Sequence, residues 1–132
     1  MKKVLIAILS LSIVLAVTIC SVKTSKVEII EWAPSEMYTD EEIKDAIDAV
    51  CVDLRHFRGV KLQSITYTGD DVSKEYIDWA TKYKCDQCLV LVSTVKTSII
   101  VSDFERNKIY ENFKWILIRK EGGKWSHVAH EF

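Results

Sequence analysis

The chain carries little that interrupts a fold: one proline and four glycines in 132 residues. Long linkers and disordered tracts are rich in such residues, and no segment is of low complexity, so neither is expected. Nor is there an excess of positive charge. The 18 basic residues face 19 acidic ones, and setting aside Lys2 and Lys3 leaves 16 against 19, a net of −3. A surface of that sign does not attract phosphate backbones, so a nucleic-acid partner has no electrostatic support. The sequence also lacks a Gly-rich phosphate loop, a Gly-x-Ser-x-Gly elbow and a His-Glu-x-x-His helix. No catalytic residue, cofactor or metal is therefore assigned.

What is present begins with Lys2-Lys3 and an uncharged run from Val4 to Val22. A positive start before an apolar stretch is the pattern of a signal peptide or an uncleaved anchor, so the remainder is expected outside the cytoplasmic membrane, secreted or anchored. Small residues before a cleavage site are met only loosely by Thr18-Ile19-Cys20 or Ile19-Cys20-Ser21. The run also approaches the ~20 residues that span a bilayer. Cys20 offers a third fate, lipidation, with bulky Ile19 where that motif needs a small residue.

The chain divides into a leader or transmembrane helix at 1–22, a tether at 23–38 and a domain at 39–132. Thr39-Asp40-Glu41-Glu42 reads as a capping box, followed by Ile43, Ile47, Val50, Leu54 and Phe57 at helical spacing, with Gly59 as the stop. Val60 to Tyr67 reads as a strand, and Ser73 as the cap of a shorter helix ending near Tyr83. Residues 88–95 are apolar on both faces, which fits a doubly covered central strand continuing through 99–101. Phe113, Trp115 and Leu117 alternate with Ile116 and Ile118, Glu121-Gly122-Gly123 makes a hairpin turn, and a last strand runs from Trp125 to Phe132. The order suggests an α+β layout, a long helix packed in a curved antiparallel sheet.

The final hairpin, Trp115-Ile116-Leu117-Ile118-Arg119 through Gly122-Gly123-Lys124-Trp125, resembles small exported proteins of Gram-positive bacteria. They are grouped as a domain of unknown function with a nuclear-transport-factor-2-like (cystatin-like) cone. The resemblance reaches upstream to Tyr83 and Asp86-Gln87-Cys88-Leu89-Val90 and covers residues 36–132. It departs at His130 and Glu131, where an aromatic and a glycine would be expected. The resemblance implies the cone but no reaction, because fold does not fix chemistry.

Four groups carry candidate chemistry. Cys85-Asp86-Gln87-Cys88 precedes a strand rather than opening a helix, so a redox pair lacks its usual support. With His127 and His130 it imitates a zinc set, but residues three apart on a strand face opposite ways unless a bulge intervenes. A bridge from Cys51 to Cys88, or to Cys85, would tie the long helix to the sheet, although three cysteines after position 20 cannot all pair. Plain buried thiols are the alternative. His127 shares a strand face with Trp125 and Ala129, and with an acid (Asp48, Asp53 or Asp103) it could serve a pocket lined by Trp115 and Trp125.

Two functions follow. One is a non-catalytic domain binding a protein or small molecule at the outer membrane face, attached through 4–22. The other is a small lyase or isomerase using His127 and a carboxylate.

Overall fold

The computed structural model describes residues 27–98 and 106–131. The leader, Asp103 and the expected strand continuation at 99–101 lie outside the described residues. Within them run β1 (Glu28–Ile29), α1 (Asp40–Asp53), a 3-10 turn (Leu54–His56), β2 (Val60–Tyr67), α2 (Asp70–Glu75), α3 (Asp78–Lys82), β3 (Gln87–Thr97), β4 (Ile109–Arg119) and β5 (Ser126–Glu131). The five strands form one open sheet in the order β1-β2-β3-β4-β5. β1 runs parallel to β2 and every other pair is antiparallel, so this α+β sheet is mixed rather than purely antiparallel.

α1 begins where expected and for the expected reason. Thr39 Oγ1 accepts from the Glu42 N–H at 3.2 Å, and Glu42 Oε1 accepts from the Thr39 N–H at 3.0 Å. Two N–H groups that the helix leaves unpaired are thus satisfied reciprocally. Ile43, Ala46, Ile47, Val50 and Cys51 form the buried face. α-Helical geometry ends at Asp53, earlier than Gly59, and the chain tightens into the 3-10 turn before Gly59 takes φ 79°.

The sheet is covered on both sides, because its central strands are apolar at odd and even positions alike. Leu89, Leu91, Phe113, Trp115 and Leu117 meet α1, while Cys88, Val90, Ile116 and Ile118 meet Ala80 and the half-buried Val72, Tyr76 and Trp79 of the short helices. The second helical stretch is two helices, α2 and α3, rather than one. Its cap position is Gly69; Ser73 instead lies buried within α2, its hydroxyl accepting from the Val90 N–H at 3.0 Å.

Residues 27–38 belong to the domain, which corrects the expected boundary at 39. Val27 and Tyr38 are buried in the α1-side core, and β1 pairs with β2 through Glu28–Ser64 and Ile29–Ile65. Asp70 pins the same segment. It accepts from the Ser35 hydroxyl at 2.6 Å, the Glu36 N–H at 2.8 Å and the Tyr67 hydroxyl at 2.7 Å. Burial opposes ionisation there, but these donors prevail and hold the Asp70 carboxyl below its ordinary range. Tyr38 donates to the Cys88 carbonyl at 2.6 Å, and burial pushes its phenol up to about 12.

Candidate functional site

The residues expected to line a pocket are built into the domain's interior. Trp115 is fully buried, and its indole N–H donates to Ser93 Oγ at 2.7 Å. Ser93 in turn donates to the Phe113 carbonyl at 3.0 Å. Trp125 is 8% exposed and donates to the Glu42 carbonyl at 3.0 Å. Its ring is covered by the Arg119 guanidinium at 4.2 Å and by the edge of Tyr38 at 5.4 Å. The two tryptophans are not cross-strand partners: Trp115 lies opposite His130, and Leu117 opposite His127.

That register contains the feature that builds the site. Between Ile116–Ala129 and Leu117–His127 the pairing slips by one residue, so Val128 is a bulge. A bulge reverses the alternation beyond it. Ala129 therefore turns to the short-helix face with Val128, and His130 joins His127 on the α1 face. The two imidazoles stand 5.5 Å apart, centroid to centroid. Trp115 approaches His127 at 4.9 Å, Phe57 approaches His130 at 5.5 Å, and Phe113 stacks on His130 at 5.4 Å.

Of the two described acids considered for His127, Asp48 and Asp53, Asp53 is the one brought to it. Nδ1 of His127 lies 3.4 Å from Asp53 Oδ2, at the end of α1. Its side chain is 9% exposed, and buried Nε2 has no hydrogen-bond partner. Burial, aided by the neighbouring His130, lowers the His127 pKa below its ordinary value; Asp53 pulls the other way and loses. The imidazole is therefore held neutral at physiological pH, with Nε2 shut among rings. That is the reverse of what a general base needs, which is a nitrogen open to substrate.

The expected bridge from Cys51 to Cys85 or Cys88 is corrected, while the alternative of a plain buried thiol holds at Cys88. Cys85 and Cys88 are free thiols, so neither is bridged to Cys51. The reason is the face each occupies. Cys51 sits in the α1-side core, whereas Cys88 and Cys85 belong to the cluster on the other face of the sheet. Burial pushes the Cys88 thiol up to about 11, which leaves it little thiolate. The sheet also separates these thiols from His127 and His130, and among the described residues no group of three or more His, Cys, Asp or Glu is placed to hold a metal ion.

No protein-family model, curated protein or solved structure matches the chain. Function is therefore argued from the chain's own surfaces. Cavities open on the domain's surface, and two of them are lined by described residues. One, of about 810 Å³, lies beside Gly59–Lys61 of the β2 entry and Lys96–Ser98 of the β3 exit. The other, of about 440 Å³, lies between Tyr83, Cys85 and the β4–β5 turn. Neither is lined by Trp115, Trp125 or His127. No described helix is long and apolar enough to cross a membrane.

Sequence reasoning missed Arg119, which gathers this end of the domain. It is 7% exposed, donates to Gln87 Oε1 at 2.7 Å and to the Gly123 carbonyl at 3.4 Å, and pairs with Glu42. The only sequence signal was its place at the close of an apolar strand, where a cation reads as a solvated end.

Proposed function

We propose that this chain is a non-catalytic binding or interaction domain, exported and held at the outer face of the cytoplasmic membrane by segment 4–22, its sheet closing over α1 as in the cystatin-like cone. One observation carries the reading: the polar atoms that could have served a reaction are turned to structure. The indoles of Trp115 and Trp125 are bonded internally, and the open nitrogen of His127 is buried. The bulges at Gln63, Asn112 and Val128 support the cone, because each bends its strand in the same sheet.

Protease treatment of intact cells making the full chain tests this. The domain is expected to be digested from outside, while a peptide containing 4–22 stays in the membrane fraction and resists carbonate. Recovery of the whole chain in the cytosol, protected from protease, would overturn the proposal.

The lyase or isomerase reading keeps one observation, the contact between His127 and Asp53. Proton uptake separates the two readings. A neutral, buried imidazole has a depressed folded pKa, so its contribution to stability is complete above the unfolded value of about 6.5 and fades as pH falls through the folded value. Unfolding free energy should fall on acidification from pH ~7 towards ~5, with a smaller drop in His127→Gln. The His127 ring proton should titrate below ~6.5 by NMR. An ordinary midpoint, with no change of stability slope in the variant, would instead support an accessible base.

A further inference from the structure

Five cations stand at the end of the sheet where the chain enters it. Because β1 is parallel to β2, with Glu28 opposite Ser64 and Ile29 opposite Ile65, the polypeptide comes into β1 from the end of the sheet at which β2 starts. At that end β2 begins at Val60, β3 finishes at Thr97 and β4 begins at Ile109, with Val60 opposite Thr97 and Lys96 opposite Ile109. Arg58, Lys61, Lys96, Arg106 and Lys108 are exposed there, and Glu111 is the carboxylate that follows on β4. The opposite end, by contrast, interleaves lysines with Asp70, Asp86 and Glu121.

Two of these cations are placed against their own interest. Lys61 and Lys96 are direct cross-strand partners. Like charges in that relation destabilise a sheet. Neither forms an ion pair among the described residues. Between them lies the cavity of about 810 Å³, whose lining adds Gln63, Asn107 and Ser98 and, among the described residues, no carboxylate. Beside it Ile109 is 52% exposed, the most exposed of the large apolar side chains described. Lysines protect unpaired strand edges from aggregation, which accounts for Lys61, where β2 runs ahead of its two pairings with β1. It does not account for Lys96, which lies on a strand paired on both sides.

We propose that this basic end docks on anionic membrane lipid, phosphate headgroups seating between Lys61 and Lys96 while Ile109 enters the headgroup boundary. Cations with an exposed apolar side chain are the composition that binds an anionic interface. The direction of chain entry turns that end towards the membrane. In this respect the proposal rests on the anchored reading above, since a leader held in the bilayer leads into β1 from this side.

The test uses the full chain with vesicles of phosphatidylcholine alone and of phosphatidylcholine mixed with phosphatidylglycerol. Flotation with the neutral vesicles reports the anchor. Acylation rates of individual lysines, read by mass spectrometry, report docking. Lys61 and Lys96 should be slowed on the mixed vesicles and not on the neutral ones, and salt near 1 M, where the screening length is ~3 Å, should abolish the difference. In the Lys61→Gln, Lys96→Gln double variant the docked-to-free ratio, read at Lys108, should drop roughly 25-fold, about fivefold per cation. The double variant should fold at least as well, because it removes a repulsion.

Equal labelling on both vesicles, with flotation intact, overturns docking and leaves the anchor standing. Failure to float on neutral vesicles defeats the anchor, and docking is then judged by flotation on the mixed ones alone. Protection of the two lysines by soluble polyglutamate to the same degree as by mixed vesicles would also overturn the proposal, in favour of an acidic protein partner.

Discussion

Replacing Trp115 with alanine should destabilise the domain by about 3–5 kcal/mol, the range for truncating a fully buried large aromatic residue. Domains of this size are stable by only about 5–15 kcal/mol, so the variant should be close to unfolding at ambient temperature. Trp115 is fully buried, packs at 4.9 Å on Phe113 and at 6.0 Å on Phe57, and gives its N–H to Ser93. Trp115→Phe separates packing from polarity. It keeps most of the buried surface and removes one donor from a buried hydroxyl, so about 1–3 kcal/mol is expected. Adding Ser93→Ala to that variant should cost less than Ser93→Ala alone, since the hydroxyl has then already lost a partner. Urea unfolding of the four proteins measures all of this. A loss below ~1 kcal/mol for Trp115→Ala would mean that the ring faces an open pocket instead.

The second large effect is expected at Arg119, where replacement by methionine should destabilise by about 3 kcal/mol. Methionine keeps the apolar stem against Trp125 and removes the guanidinium, which is held by Gln87, by the Gly123 carbonyl and by Glu42. The Glu42 side chain is 30% exposed and can recover water, which tempers the loss. Glu42→Gln should therefore cost only about 1 kcal/mol, because the amide oxygen can still accept from the Thr39 N–H. Arg119→Lys should behave more like the methionine variant than like the wild type. A single ammonium cannot serve three acceptors in a fixed fork while lying over an indole. Unfolding midpoints of the three variants, compared at low and high salt, check this. If the Arg119→Met loss vanished at high salt, the ion pair would be a surface one.

The parts legible in the sequence are those set by neighbours along the chain. The capping box of α1 needs only Thr39 and Glu42, and the β4–β5 turn needs only Gly122 and Gly123. Alternation in β3 and β4 sorted Leu89 and Leu91 from Val90, and Phe113, Trp115 and Leu117 from Ile116 and Ile118. Parity even places Cys88 with Val90. What it cannot reveal is which of two apolar faces meets α1, and the expected pairing of Cys51 with Cys88 or Cys85 failed on that point. β1 escaped because two residues carry no periodicity.

The histidine site was half legible for a related reason. A strict two-residue period separates His127 from His130, and a single extra residue at Val128 reunites them. Nothing local marks that bulge, since Val128 is itself a good strand former. Asp53 was one of three acids considered, and what sets it beside His127 is its place at the end of α1, a matter of how the helix packs on the sheet.

The placement of the largest buried side chains bears on how the domain comes into being. Phe113, Trp115 and Leu117, on which the buried stripe of α1 rests, all fall on β4, near the end of the chain. A nascent polypeptide lacking β4 keeps only the β2 and β3 part of the floor under α1, without its largest side chains, and has no second neighbour for β3. Ile43, Ile47 and Val50 then gain little from burial, while the entropy of ordering them is undiminished. Folding of the domain therefore becomes favourable only once β4 has been made. For a chain exported as proposed above, threading a narrow channel in extended form, that delay would keep everything before β4 passable.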